Sequence, residues 1–331
     1  MEQKVGSLIS AINESVGAKK PFLFIIDFNC EHPIVRFLNE IDPEEILYDF
    51  KGFTNLPTYT KSNNNAPFYF RKFPIPYSTY RERFDRVRKE LLQGNSYLLN
   101  LTFPTPVETS LTLQEIFIRS EAPYKLLLNK DNELKFVVFS PESFVNIKDG
   151  VIRSFPMKGT INASVPNAEN IILKDAKELA EHSTIVDLIR NDLSMVANNV
   201  KLERFRYVER IKTNVSQLLQ ISSEISGTVK KELRNSYGEL LALLLPAGSI
   251  SGAPKCKTVQ IIKEAEGYER GYYTGVFGYS DGEKLESAVM IRFIEQTQNN
   301  LCFKSGGGIT IYSNPESEYR ELIDKVYVPF N

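Results

Sequence analysis

The chain contains no tryptophan, two histidines and three cysteines in 331 residues. Cys30, Cys256 and Cys302 are odd in number and far apart, which fits neither a disulfide framework nor a CxxC metal site. A reducing, cytoplasmic location is the expectation. With only His32 and His182 available, a zinc site is not expected. Charge of one sign is missing too. Forty Lys and Arg stand against forty-one Asp and Glu, so no global field favours nucleic acid or a membrane surface. The longest apolar run, Leu240 to Leu245, is far too short to span a bilayer. Met1 to Gly6 has no basic cluster leading into an apolar run. Neither nucleic acid nor membrane is an expected partner.

The remainder is ordinary for a globular protein, with 42% hydrophobic and 24% charged residues. The length suits one large domain or two intimate ones. Strand-like runs cover Phe22 to Asp27, Pro33 to Phe37, Ile46 to Phe50, Tyr97 to Phe103, Leu126 to Leu128 and Phe136 to Ser140. Asp149-Gly150 between two such runs is a hairpin signal. Val276 to Tyr279, Ser287 to Glu295 and Leu301 to Lys304 read as one antiparallel meander, turning at Asp281-Gly282 and Asn299-Asn300. Thr54 to Pro67 reads as an exposed loop. Helical spacing predicts helices over Tyr80 to Gln93, Tyr237 to Leu245, Pro254 to Ala265 and Ala176 to Asn198. The last has an expected buried stripe of Leu179, Val186, Ile189, Leu193 and Val196. Strands joined by hairpins, with helices interrupting rather than alternating, predict an α+β fold with mostly antiparallel sheets. Gly306-Gly307-Gly308 lacks the GxGxxG spacing of a dinucleotide fold.

Two helices carry one pattern. Glu178 and Glu181 are three apart near the start of one, and Glu318 and Glu321 near the start of another. Residues three and four apart share a helix face, which also aligns Lys325 with Glu318 and Glu321. If the helices face each other, four carboxylates line one cavity and a hard cation such as magnesium becomes a suitable occupant. Two ordinary solvated faces have the same spacing. Gly306, Gly307 and Gly308 are expected to end a strand and offer amides to a carboxylate. Lys158, set between Met157 and Gly159, becomes a nucleophile if apolar burial removes its charge, and is otherwise a turn lysine. Glu142, after a buried-looking strand, is a candidate general acid. The small-residue loop Ala247 to Lys255 runs into a helix start that could receive an anion. Tyr273 and Arg292 are candidates to hold a carboxylate.

Taken together, these segments resemble the chorismate-utilising enzymes. The resemblance rests on Ser140-Pro141-Glu142, Pro156-Met157-Lys158-Gly159-Thr160, Glu178-Leu179-Ala180-Glu181-His182, Asp187 to Leu193, Gly248 to Lys255, Arg270 to Gly275, Ser287 to Arg292 and Gly306 to Lys325. It implies a two-lobed β-sandwich with helices outside, in a single chorismate-binding catalytic domain. The family core would span about residues 80–331, after a shortened N-terminal part of about residues 1–75. Lysine before Gly-Thr is typical of the aminodeoxychorismate synthase branch, where anthranilate synthases usually have alanine. The resemblance implies that Lys158 attacks chorismate at C2 and expels the C4 hydroxyl, that Glu142 protonates that hydroxyl, and that ammonia then releases the lysine. It implies magnesium held by Glu181 and Glu321, with Glu178 and Glu318 supporting through water. Substrate contacts would come from Tyr273, Arg292, Lys325, Ser249, Gly159, Thr160 and Gly306 to Gly308. The chain shows no glutaminase motif, so a separate glutamine amidotransferase subunit is the expected source of ammonia. Anthranilate synthase component I and a non-catalytic chorismate-binding relative are the alternatives. Leu98 stands near the place where water-activating relatives carry lysine, which argues against water as nucleophile. Gln220 stands where the family usually has histidine, and the short N-terminal part leaves little room for a tryptophan feedback pocket.

Overall fold

The computed structural model describes residues 2–57, 67–130, 134–212, 217–298 and 300–330. Two nine-stranded sheets form the molecule, and every pairing described is antiparallel. The first runs Met157–Asn162, Gln217–Val229, Val151–Ser154, Ser143–Lys148, Lys284–Val289, Val276–Ser280, Phe22–Ile26, Ile34–Phe37, with Ala197–Lys212 also paired to Gln217–Val229. The second runs Gly252–Ala253, Leu98–Thr109, Asn300–Ile309, Phe293–Thr297, Leu134–Ser140, Tyr124–Lys130, Ile46–Phe50, Phe53–Thr54, with Phe70–Lys72 on Leu98–Thr109.

The sheets pack face to face because alternate side chains point inward from each. Leu23, Ile25 and Phe277 of the first sheet share one core with Tyr48, Phe50, Leu126 and Val138 of the second. The Phe50 ring lies 5.2 Å from Phe277 and 4.9 Å from Tyr279. Helices cover the outer faces. Ala176–Val196, Tyr237–Leu244 and Glu2–Gly17 bury apolar faces on the first sheet. Tyr77–Leu92, Lys255–Glu266 and Pro315–Asp324 cover the second through Phe84, Ile261 and Leu322. This is the α+β sandwich with external helices that the sequence predicts. No helix among the described residues is long and apolar enough to cross a membrane.

Several sequence expectations need correction. Ser287 to Glu295 is not one strand. Lys284–Val289 lies in the first sheet and Phe293–Thr297 in the second. The chain crosses between lobes at Met290 to Arg292, and Arg292 takes a φ of 54° there. Leu301 to Lys304 does not stop at the glycines, because Asn300–Ile309 continues through Gly306, Gly307 and Gly308, paired with Thr102, Leu101 and Asn100. Leu179 is 41% exposed, whereas Val186, Ile189, Leu193 and Val196 are buried as expected. Sequence patterning did not reveal Glu2–Gly17, nor the long hairpin of Ala197–Lys212 and Gln217–Val229, whose three register shifts blur the two-residue alternation. The Asp149-Gly150 turn is present, with φ of 54° and 73° as the tight hairpin requires. Residues 58–66 of the expected loop, and Asn299 of one expected turn, lie outside the described residues.

Phe50→Ala removes the ring that joins the two sheets. Its unfolding free energy, measured by urea titration, should fall by about 3–5 kcal/mol.

Candidate active site

Where the chain crosses between lobes, a cavity of about 150 Å³ opens. That is room for on the order of five water molecules. Its walls include Glu142, Lys158, Glu181, Ser249, Tyr273, Arg292, Gly306, Gly307, Gly308 and Lys325. Ten residues chosen from sequence thus meet in one place.

Lys158 sits in Met157–Asn162, at a register shift against Gln217–Val229. Gly159 follows with a φ of 87°, and a Cβ there would lie 2.8 Å from Glu178 Oε2. The positive φ favours glycine at this position, which also leaves room for the Glu178 carboxylate. The Lys158 Nζ pairs with Glu181 Oε2 at 2.9 Å. Burial alone would lower the Lys158 pKa, but Glu181 outweighs it, assisted by Glu321 and Glu178, and the net shift is upward. The expectation of a lysine neutralised among apolar neighbours is therefore corrected: carboxylates hold it as an ammonium. Thr160 is exposed and, like Gly159, does not line the cavity.

Glu142 leaves the end of Leu134–Ser140, with its amide hydrogen donated to Ser140 Oγ at 3.1 Å. Ser249 donates its hydroxyl to Glu142 Oε1 at 2.7 Å. Burial raises the Glu142 pKa, and the Ser249 bond and the charges of Lys325 and Arg292 oppose this only in part. A carboxyl whose pKa is raised by burial suits a general acid. The loop that brings Ser249 here is fixed from behind. Lys255 donates to Leu244 O at 2.8 Å and to Asp192 Oδ2 at 3.1 Å. Gly252 packs so tightly on Leu98 that a Cβ would reach its carbonyl carbon at 2.8 Å.

The opposite wall is built for an anion. Arg292 Nε is buried and donates to no described group. Lys325, which caps the Pro315–Asp324 helix, donates to Gly306 O at 2.9 Å and pairs with Glu321 Oε1 at 2.7 Å. Burial lowers the Lys325 pKa in spite of Glu321, and Arg292 and Lys158 push the same way. A Cβ at Gly307 would stand 3.6 Å from Glu318 Oε2 and 3.8 Å from Lys325 Nζ, so glycine keeps this wall open.

Of the four carboxylates, which come from two helices, only Glu181 lines the cavity; Glu178 and Glu321 act on the Lys158 charge from outside the lining, and Glu318 lies beside Gly307. Hard oxygen donors of this kind match magnesium. Among the described residues, however, no three acidic, histidine or cysteine side chains already stand in metal-binding geometry. His182 takes no part: it is fully buried, its Nε2 lies 2.7 Å from Ser223 Oγ, and burial pushes its pKa down to about 4. Gln220 pairs with Thr160 in the sheet and does not line the cavity.

Sequence reasoning missed Asn100, Lys304 and the Glu266–Arg270 pair. Leu98 and Asn100 face the cavity while Leu99 and Leu101 join the helix-covered core, a two-residue alternation that was legible but unused. Asn100 Oδ1 is buried and accepts no bond from a described group. Arg270 pairs with Glu266 Oε1 at 2.6 Å and also reaches Asn100 O, Ile250 O and Thr274 Oγ1. Glu266 in turn receives Thr102 N at 2.7 Å. This pair ties three cavity segments to one buried charge.

The description chorismate binding enzyme matches residues 31–330. The chain belongs to that family. It is 52% identical over 311 residues to an uncharacterized PabA-like protein of Haemophilus influenzae, covering 94% of this chain and 93% of that one. It is 29% identical over 293 residues to aminodeoxychorismate synthase component 1 of Bacillus subtilis, covering 83% and 60%. Anthranilate synthase component 1 of Aquifex aeolicus is 36% identical over 214 residues, covering 62% and 42%. The chain therefore spans less than two thirds of the two relatives named as synthases. A Bacillus anthracis structure described as a putative 2,3-dihydroxybenzoate-specific isochorismate synthase superposes with a TM-score of 0.74 at 20% identity, over 97% of this chain and 87% of that one. This last likeness concerns the fold.

Arg270→Met leaves Glu266 charged and uncompensated in the core. Stability in denaturant titration should fall by about 3–5 kcal/mol, and adding Glu266→Gln should recover part of the loss.

Proposed function

We propose that this chain makes 4-amino-4-deoxychorismate from chorismate and ammonia, a step toward 4-aminobenzoate and folate. The observation that carries the reading is Lys158, which lines the same cavity as Glu142, a carboxyl whose pKa burial raises. Chorismate bears two carboxylates, and Arg292 and Lys325 line that cavity with cationic groups. Once its ammonium has given a proton to solvent, Lys158 attacks the ring at C2. The ring double bonds shift, and the C4–O bond breaks as Glu142 gives its proton to the departing hydroxyl, which leaves as water. Ammonia then attacks C4 and frees the lysine, so that one difficult displacement becomes two. The Lys158–Glu181 pair has to separate before the amine can attack. Tyr273, Ser249 and the Gly306 to Gly308 strand shape the ring's seat. A cytoplasmic chain drawing ammonia from a separate glutamine amidotransferase subunit completes the reading.

Glu181 and Glu321 would hold magnesium, with Glu178 and Glu318 supporting through water. When bound, the ion neutralises carboxylate charge on the substrate and the protein.

Anthranilate synthase component I is the second reading, favoured by the Aquifex aeolicus relative. Purified protein, chorismate, magnesium and an ammonium salt separate the two by chromatography. Formation of 4-aminobenzoate only when aminodeoxychorismate lyase is added is the expected result. Anthranilate without the lyase would support the second reading, and no consumption with the amidotransferase present would mean a binding role.

Two substitutions refine the assignment. Lys158→Ala should abolish turnover except for any direct attack by ammonia, and unchanged kinetics would remove the lysine from the mechanism. Glu142→Gln should cut turnover by roughly 10²–10⁴-fold. A carboxyl whose pKa rises on folding binds more protons in the folded state, so its contribution falls as pH rises from the ordinary carboxylate range through the folded pKa. Above that window Glu142→Gln should therefore be at least as heat-stable as the parent, measured by calorimetry.

A further inference from the structure

We infer that Lys158 and a divalent cation compete for the carboxylate of Glu181, so that the lysine acts as a built-in counter-ion of the unloaded site. This rests on the magnesium reading above and adds a residue that opposes the ion. Lys158 Nζ is already 2.9 Å from Glu181 Oε2, with the two side chains 27% and 9% exposed. A pair this shielded is only weakly screened by salt.

The lysine cannot move far away. Its backbone is held by the pairing of Met157 with Ser222 and of Thr160 with Gln220 on either side of it, and by the Ser223 amide hydrogen bond to Pro156 O at 3.0 Å. Its head group therefore stays within reach of Glu181, Glu178 and Glu321, the same carboxylates that a cation needs. A fixed ammonium and a divalent ion repel each other across so short a span. Lys158 gives up Glu181 when the cation takes it, and its head is then turned into the cavity where the ring binds. The coupling is reciprocal: whatever loosens Lys158 from Glu181 strengthens the ion's hold by the same factor.

Manganese serves as the probe, with binding followed by the electron paramagnetic resonance of the free ion. The full chain is used without chorismate. Lys158→Met, which removes the charge at similar length, should bind manganese about tenfold more tightly than the parent. Lys158→Arg, which keeps the charge, should bind no more tightly than the parent. Glu181→Gln should weaken binding in the parent and in Lys158→Met alike. Equal affinity in the parent and Lys158→Met, with both binding, would overturn the competition and leave the metal reading standing. Absence of manganese binding by every variant would overturn the metal reading and the competition with it. No step depends on turnover, so the result stands apart from the identity of the product.

Discussion

Like charges brought together by folding have to be balanced, and this constraint organises the site. Glu178, Glu181, Glu318 and Glu321 come from two helices on different sheets. Two unit charges about 4 Å apart near a protein surface repel by roughly 4 kcal/mol. The fold sets cations among them: Lys158 on Glu181 and Lys325 on Glu321. The consequence is chemical as well as structural. Lys158, which lines the cavity, is also the counter-ion of the wall behind it, and burial raises the pKa of Glu142 in the same cavity.

The scaffold supplies this arrangement through the crossing between its two lobes. Arg292 reaches the cavity because the chain changes sheets just before Phe293. Beneath it, the buried Arg270 guanidinium joins Glu266 to the backbones of Asn100 and Ile250. One strand, one loop and one helix end thus share a fully desolvated charge, and a shift in any of them leaves that charge poorly paired. Glycine is needed at Gly252, where a Cβ would strike the Leu98 backbone, and is favoured at Gly159 by a φ of 87°.

Much of this was legible in the sequence because it rests on local pattern. The helix spacing of Glu178 with Glu181, the Asp149-Gly150 turn and the stripe from Val186 to Val196 follow from periodicity alone. The illegible parts depend on long-range pairing. Gly306 to Gly308 looked like the end of a strand, yet pairing with Leu98–Thr109 carries the strand through them. Ser287 to Glu295 looked continuous because nothing local marks a change of sheet. Lys158 read either as a turn lysine or as one that loses its charge among apolar neighbours. Its actual partner is twenty-three positions away in sequence, and only the fold brings Glu181 to it. Thr160 belongs to the same segment as Lys158 but sits outside the cavity.

Lys158 as the attacking group is the claim on which the functional account turns. The direct measurement is intact-protein mass spectrometry after mixing the chain with chorismate and magnesium in the absence of ammonia, followed by peptide mapping. The account predicts a covalent adduct equal to chorismate less one water, confined to the peptide containing Lys158 and lost on adding ammonium. Product formation from ammonia with no adduct at any time, or an adduct that persists in Lys158→Ala, would contradict it.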